Sequence, residues 1–131
     1  MWRLQGVGPA PDRALAWDHF EVVMKATRDF LAARDVPLLV VALPARRDLE
    51  AAAAGTPPPQ EHVRTRMLAT ASRLGIPALD ATRLLAPVVA RNGAGTCFRD
   101  QPPGDPHLNR HGHALLAAWL EKQLGVLFDG G

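Results

Sequence analysis

The run PLLVVALP, residues 37–44, sets six consecutive apolar side chains between two prolines. Its length and β-branched content suit a strand, and its lack of alternation predicts burial on both faces, as in a parallel sheet covered by helices. Upstream of it, Phe20, Val23, Met24, Thr27, Phe30 and Leu31 recur at helical spacing, with Asp18, Glu21, Lys25 and Arg28 opposite. This predicts an amphipathic helix that starts at a cap on Asp12 and ends by Asp35. Residues 1–11, rich in glycine and proline, read as a loose lead-in from which Trp2 can dock.

Downstream, ARRDLEAAAAG, residues 45–55, is a short helical or irregular excursion, and TPPPQ, residues 56–60, is a rigid turn that offers a proline to a first helical position. Val63, Met67, Leu68, Ala71 and Leu74 form a second helical stripe, closed by Gly75 as the residue just past the helix end. Residues 76–79 predict a second strand. Asp80 then caps a helix bearing Leu84, Leu85, Val88 and Val89, kinked at Pro87 and stopped by Gly93. A loop follows, with a short strand at 96–98, and Asn109 caps a last helix whose Leu115, Leu116, Trp119, Leu120 and Leu124 face inward. Helices alternating with strands give an α/β fold with a small parallel sheet, in one domain over residues 1–131. So few strands leave the 38–43 run with an unpaired apolar edge. The chain therefore either self-associates through that edge or has it covered by a segment outside this sequence.

With 131 residues, an apolar fraction of 47% and a formal net charge of +2, the chain can bury one core. Its arginines are scattered, so no basic stripe of the kind that binds nucleic acid is present. The single cysteine, Cys97, excludes an internal disulfide and a two-cysteine metal or redox motif. The opening MWRLQGVGPAPD has no signal-peptide core, and no later run is long enough to span a membrane, so no membrane partner is expected; the compartment stays open.

The chemistry concentrates in FRDQPPGDPHLNRHGHALLAAW, residues 98–119. Asp105 and His107 flank a proline, and residues two apart in extended backbone project to the same side. A carboxylate beside an imidazole fixes its tautomer and stabilises the cation formed when it takes a proton, which is the acid and base pair of a serine-type site. In the alternative reading, Asp105 only turns the loop and His107 bonds a backbone carbonyl. A third reading gathers His107, His111 and His113 with Asp105 around a metal, although two residues apart at a helix start point to different sides. The chain's one serine, Ser72, sits in no strained catalytic turn, and Cys97 reads as a buried structural thiol. Arg46 and Arg47 follow the first strand, where an arginine is either solvated or faces a substrate carboxylate, so Arg46 is a substrate-binding candidate; Asp80 reads as a helix cap.

Taken whole, D-P-H-L-N-R-H-G-H at residues 105–113 resembles the last block, D-x-H-x-N-x-x-G-H, of the SGNH or GDSL hydrolase superfamily. IPALDATRLL and VPLLVVALPAR resemble the segments that precede that block, so the similarity spans about Leu15 to Leu124. The resemblance implies a three-layer α/β/α, flavodoxin-like fold lacking its N-terminal strands. It also implies ester hydrolysis or O-acyl transfer, often on carbohydrate acetyl groups or small-molecule esters, without a cofactor. Asp105 would be the triad acid, His107 the base, and Asn109 and Gly112 structural residues. No G-D-S block occurs, so the resemblance covers only the later half of such a domain, and the chain by itself is expected to be inactive.

Overall fold

Val40–Ala42 (β1) and Ala78–Asp80 (β2) pair as a two-stranded parallel sheet in the computed structural model, which describes residues 10–129, with side chains described for residues 13–128. The helices are α1 (Ala10–Ala32), α2 (Arg46–Ala53), α3 (Glu61–Arg73), α4 (Thr82–Asn92) and α5 (Arg110–Leu124). The result is a mixed α/β chain, mostly helical. The expected lead-in, with Trp2, lies outside the described residues. Asp12 lies inside α1 and not at its cap. The described residues fall into two compact units, one comprising residues up to Val41 with Thr65–Leu79, the other Ala42–Arg64 with the residues from Asp80 onward.

In the first unit, α1 turns Trp17, Phe20, Met24 and Leu31 partly inward. Arg28 donates from Nη1 to the Leu74 carbonyl at 2.7 Å, Glu21 pairs with Arg73, and the Arg66 guanidinium lies 4.9 Å from the Trp17 ring centre. This corrects the expected inner stripe, because Val23 and Phe30 are 61% and 57% exposed. Two apolar stripes run along α1, and the inner one is also the one whose polar neighbours find partners. The helix ends where Asp35 takes φ 54°, its N–H bonding to Ala32 O while the Val36 N–H reaches back to Leu31 O at 3.0 Å. Gly75 ends α3 in the same way, with φ 68° and the Ile76 N–H on Ala71 O, as expected.

In the second unit, Leu49 of α2, Leu85 and Val89 of α4, and Ala94, Cys97 and Phe98 beyond it form the buried core, with Leu84, Val88, Leu108 and Leu115 packed around it. Pro87 lies within α4 on its exposed side, and Gly93, at φ 84°, receives the turn that ends it. The prolines of 57–59 precede α3 and do not enter it; the Gln60 N–H instead donates to the buried Asp48 carboxylate at 2.8 Å, tying α2 to the start of α3. The strand expected at 96–98 is replaced by a 3₁₀ turn, Ala94–Thr96, and a single antiparallel bridge between Phe98 and Leu108. α5 half-buries Leu115, Leu116, Trp119 and Leu120, leaves Leu124 exposed, and runs into a π-helical turn, Gly125–Asp129.

The two strands are shorter than the apolar runs that contain them. Val40 donates its N–H to Pro77 O at 2.9 Å and Ala81 donates to Ala42 O at 3.0 Å, but Leu43 is already exposed. Among the described residues β1 has one partner strand, and the two-sided burial expected for residues 38–43 is reached fully only at Ala42.

Candidate active site

Asn109 caps α5 by accepting the Gly112 N–H on Oδ1 at 2.8 Å, which satisfies one of the unpaired donors of the first turn. The two hydrogens of its amide nitrogen are shared among three carbonyls of the preceding turn: Gly95 at 3.0 Å, Thr96 at 3.2 Å and Phe98 at 3.1 Å. The Asn109 N–H adds a bond to Cys97 O at 2.9 Å, and the Arg99 N–H donates to His107 O at 2.9 Å. Together with the Phe98–Leu108 bridge, these bonds close residues 99–107 into a loop with fixed ends. Gly112 is buried where α5 meets the Cys97 carbonyl, and a Cβ there would lie 2.2 Å from that oxygen. Only glycine fits the contact.

Asp105 and His107 face each other on this loop. One oxygen of Asp105, Oδ1, accepts both the His107 backbone N–H, at 2.8 Å, and the imidazole Nδ1, at 2.6 Å. Arg99 Nε stands 3.7 Å from the other oxygen. Asp105 is 6% exposed, whereas the His107 side chain is 75% exposed. The His107 backbone N–H, more than any other contact, holds the Asp105 carboxyl below the usual carboxylate range; burial opposes it, and the imidazole and Arg99 reinforce it. An ionised carboxylate only accepts, so Nδ1 carries the proton in neutral His107 and Nε2 keeps its lone pair. No hydrogen bond occupies Nε2 among the described residues. The arrangement leaves Nε2 open to accept a proton while Asp105 holds the ring.

His107 borders a cleft of about 240 Å³, together with Leu43, Pro44, Leu85, Phe98, Leu108 and His113. His111 is exposed and does not line it. Among the described residues no group of three or more histidine, cysteine or acidic side chains is placed to hold a metal ion, so the four residues of the metal reading do not converge.

The other candidates are placed as follows. Asp80 accepts the Thr82 N–H at 3.0 Å and pairs with Arg64 at 3.2 Å, which is the work of a helix start. Cys97 is fully buried, and burial pushes its thiol up, away from the reactive thiolate. Ser72 is exposed on α3, in the other unit from Asp105 and His107. Arg46 does not turn outward to a substrate: its side chain is 10% exposed, and its guanidinium is spent on protein oxygens. No feature of the sequence separated Arg46 from the exposed Arg47 beside it. No helix among the described residues is long and apolar enough to cross a membrane. Comparison with known proteins returned no matching family model, no matching curated protein and no matching solved structure.

Two outcomes are expected from this geometry. In an ordinary helix Gly→Ala adds stability, by roughly 1 kcal/mol. Gly112→Ala is expected to lower stability by about 3 kcal/mol, since the backbone carbonyl of Cys97 must move, and a urea midpoint shifted downward at constant slope would register it. The second concerns acid. A carboxylate held below its ordinary value stabilises the fold at and above that value, and the contribution fades as pH drops through the lowered folded-state value. Stability measured from about pH 5 downward should fall more steeply in the wild-type chain than in Asp105→Asn.

Proposed function

We propose that this chain carries the acid and base arms of a serine-dependent ester hydrolase or O-acyl transferase with an SGNH-like, three-layer α/β/α architecture. The supporting observation is the 2.6 Å contact between Asp105 Oδ1 and His107 Nδ1, on an imidazole that borders an open apolar cleft. In this reading a serine hydroxyl, supplied by a segment outside the sequence described or by a partner chain, attacks the ester carbonyl and gives its proton to His107 Nε2. Asp105 holds the imidazole and stabilises the cation. The imidazolium returns the proton to the departing alkoxide; water or an acceptor alcohol, deprotonated by the same nitrogen, then attacks the acyl-serine carbonyl, and the proton goes back to the serine oxygen as its bond to the acyl group breaks. The substrate is a small-molecule or carbohydrate ester, and the apolar lining of the cleft suits the hydrocarbon part of it.

The test uses a fluorophosphonate probe and a small acetate ester. By itself the chain is expected to show no labelling and no turnover above that of His107→Ala. Joined with, or mixed with, a polypeptide bearing a G-D-S block encoded in frame upstream or by a neighbouring gene, it should label. His107→Ala should then reduce labelling by about three orders of magnitude. Labelling of the chain alone that vanishes in Ser72→Ala would sink the reading, as would a serine segment that labels equally well with His107→Ala.

A second reading has its own support. α1 exposes Leu15, Val22, Val23 and Phe30, and β1 has one edge without a partner strand among the described residues. We infer from this a non-catalytic α/β module that self-associates or binds a partner through its apolar surface. Light scattering is then expected to give a dimer that Val22→Glu converts to monomer, and a wild-type monomer at high concentration counts against it.

A further inference from the structure

We propose that Arg46 is the positioning residue of the Asp105–His107 pair, setting from outside the loop where the Asp105 carboxylate stands. The proposal rests on the base-arm reading of that pair. Arg46 is the first residue of α2, on a different element from the loop it touches. Its Nη1 donates to Arg99 O at 2.7 Å and to Asp105 O at 3.1 Å; Nη2 donates to Asp100 Oδ1 at 3.0 Å, and Nε to Glu50 Oε1 at 2.7 Å.

Arg99 and Asp105 belong to opposite arms of the loop, because the Arg99 N–H is itself bonded to His107 O across it. One guanidinium nitrogen therefore ties both arms to α2. The remaining bonds to Asp105 come from the loop: its N–H to Pro102 O, its carboxylate to His107 and, more distantly, to Arg99. Such bonds move with the loop and cannot fix its place; the one to Arg46 can. Glu50 anchors the guanidinium to α2 from one side, and the guanidinium carbon lies over the Phe98 ring, 5.9 Å from its centre. A planar fork serves four acceptors in fixed directions at once, which a lysine ammonium cannot. Glu50 and Asp100 balance the cation, so its effect on His107 is one of geometry more than of field.

The experiment reads the tautomer of the neutral His107 imidazole by nitrogen-15 NMR, in the wild-type chain and in Arg46→Lys, Arg46→Met and Asp105→Asn. Arg64→Met is the control, since it removes an arginine tied to Asp80 and Glu61 in the same unit. The wild type should hold the Nδ1–H form. Both Arg46 variants should lower its population at least about twofold, Asp105→Asn, whose uncharged oxygen is a weaker acceptor, should weaken the preference, and Arg64→Met should leave it intact. A folded Arg46→Met that keeps the wild-type tautomer overturns the proposal while leaving the pair in place. A wild type without the Nδ1–H preference, unchanged in Asp105→Asn, removes the pair itself and the proposed function with it. Global unfolding of both Arg46 variants, with Arg64→Met folded, assigns Arg46 to stability of the whole unit and also overturns the positioning role.

Discussion

The carbonyl oxygen of Cys97 is the point on which the second unit turns. It accepts the Asn109 N–H and lies where a side chain on Gly112 would have to be, so α5 begins against it at a distance that only a glycine allows. Cys97 is fully buried, and the two carbonyls before it, at Gly95 and Thr96, and the one after it, at Phe98, face the Asn109 amide nitrogen. Backbone oxygens withdrawn from water without a donor are costly, and those of Thr96 and Phe98 are partly buried. A single side chain removes that cost from an irregular turn and caps the following helix with its other end. The position of α5 and the conformation of the preceding turn are therefore one constraint.

The loop from Arg99 to His107 inherits its fixed ends from this junction. Within it, Pro102, Pro103 and Pro106 limit the unfolded chain, so less entropy is lost when it orders. Asp105 is buried where it accepts the His107 backbone N–H, and His107 is left in solvent at the cleft. That asymmetry suits the proposed function. A general base must reach its proton donor, whereas the group that orients it works best out of water, with its hydrogen bonds already formed.

Much of this was legible from residue types. The apolar stripes of α3 and α4, the stop at Gly75 and the cap at Asn109 follow from spacing and from local backbone chemistry, which do not depend on distant partners. The same rules place Asp105 beside His107, because an aspartate two residues before a backbone N–H closes its own turn. What was not legible depended on tertiary choice. α1 carries two apolar stripes, and only the partners of Arg28, Glu21 and Trp17 decide which is turned inward. Residues 96–98 have strand-like composition, but the Asn109 amide competes for their carbonyls and leaves one bridge. Arg46 and Arg47 are indistinguishable until α2 is drawn, when one side of the helix proves to face the 99–105 loop and the other solvent.

The remaining question is whether Asp105 and His107 are joined for chemistry or only to turn a chain. A turn needs the bond from the Asp105 carboxylate to the His107 backbone N–H and nothing further. The imidazole contact adds little to stability, since one partner is three-quarters exposed and water competes for it. Yet the loop is fixed by more than its own turn: Asn109 and the Cys97 carbonyl set its ends, and Arg46 reaches in from α2 to bind both of its arms. The bonds from Arg46 go beyond what a turn requires, and in the proposed function they bear on where the exposed nitrogen of His107 is presented. All of these parts lie in a single compact unit, so the Asp105–His107 geometry is set within that unit alone, which is what the proposed function asks of a base arm.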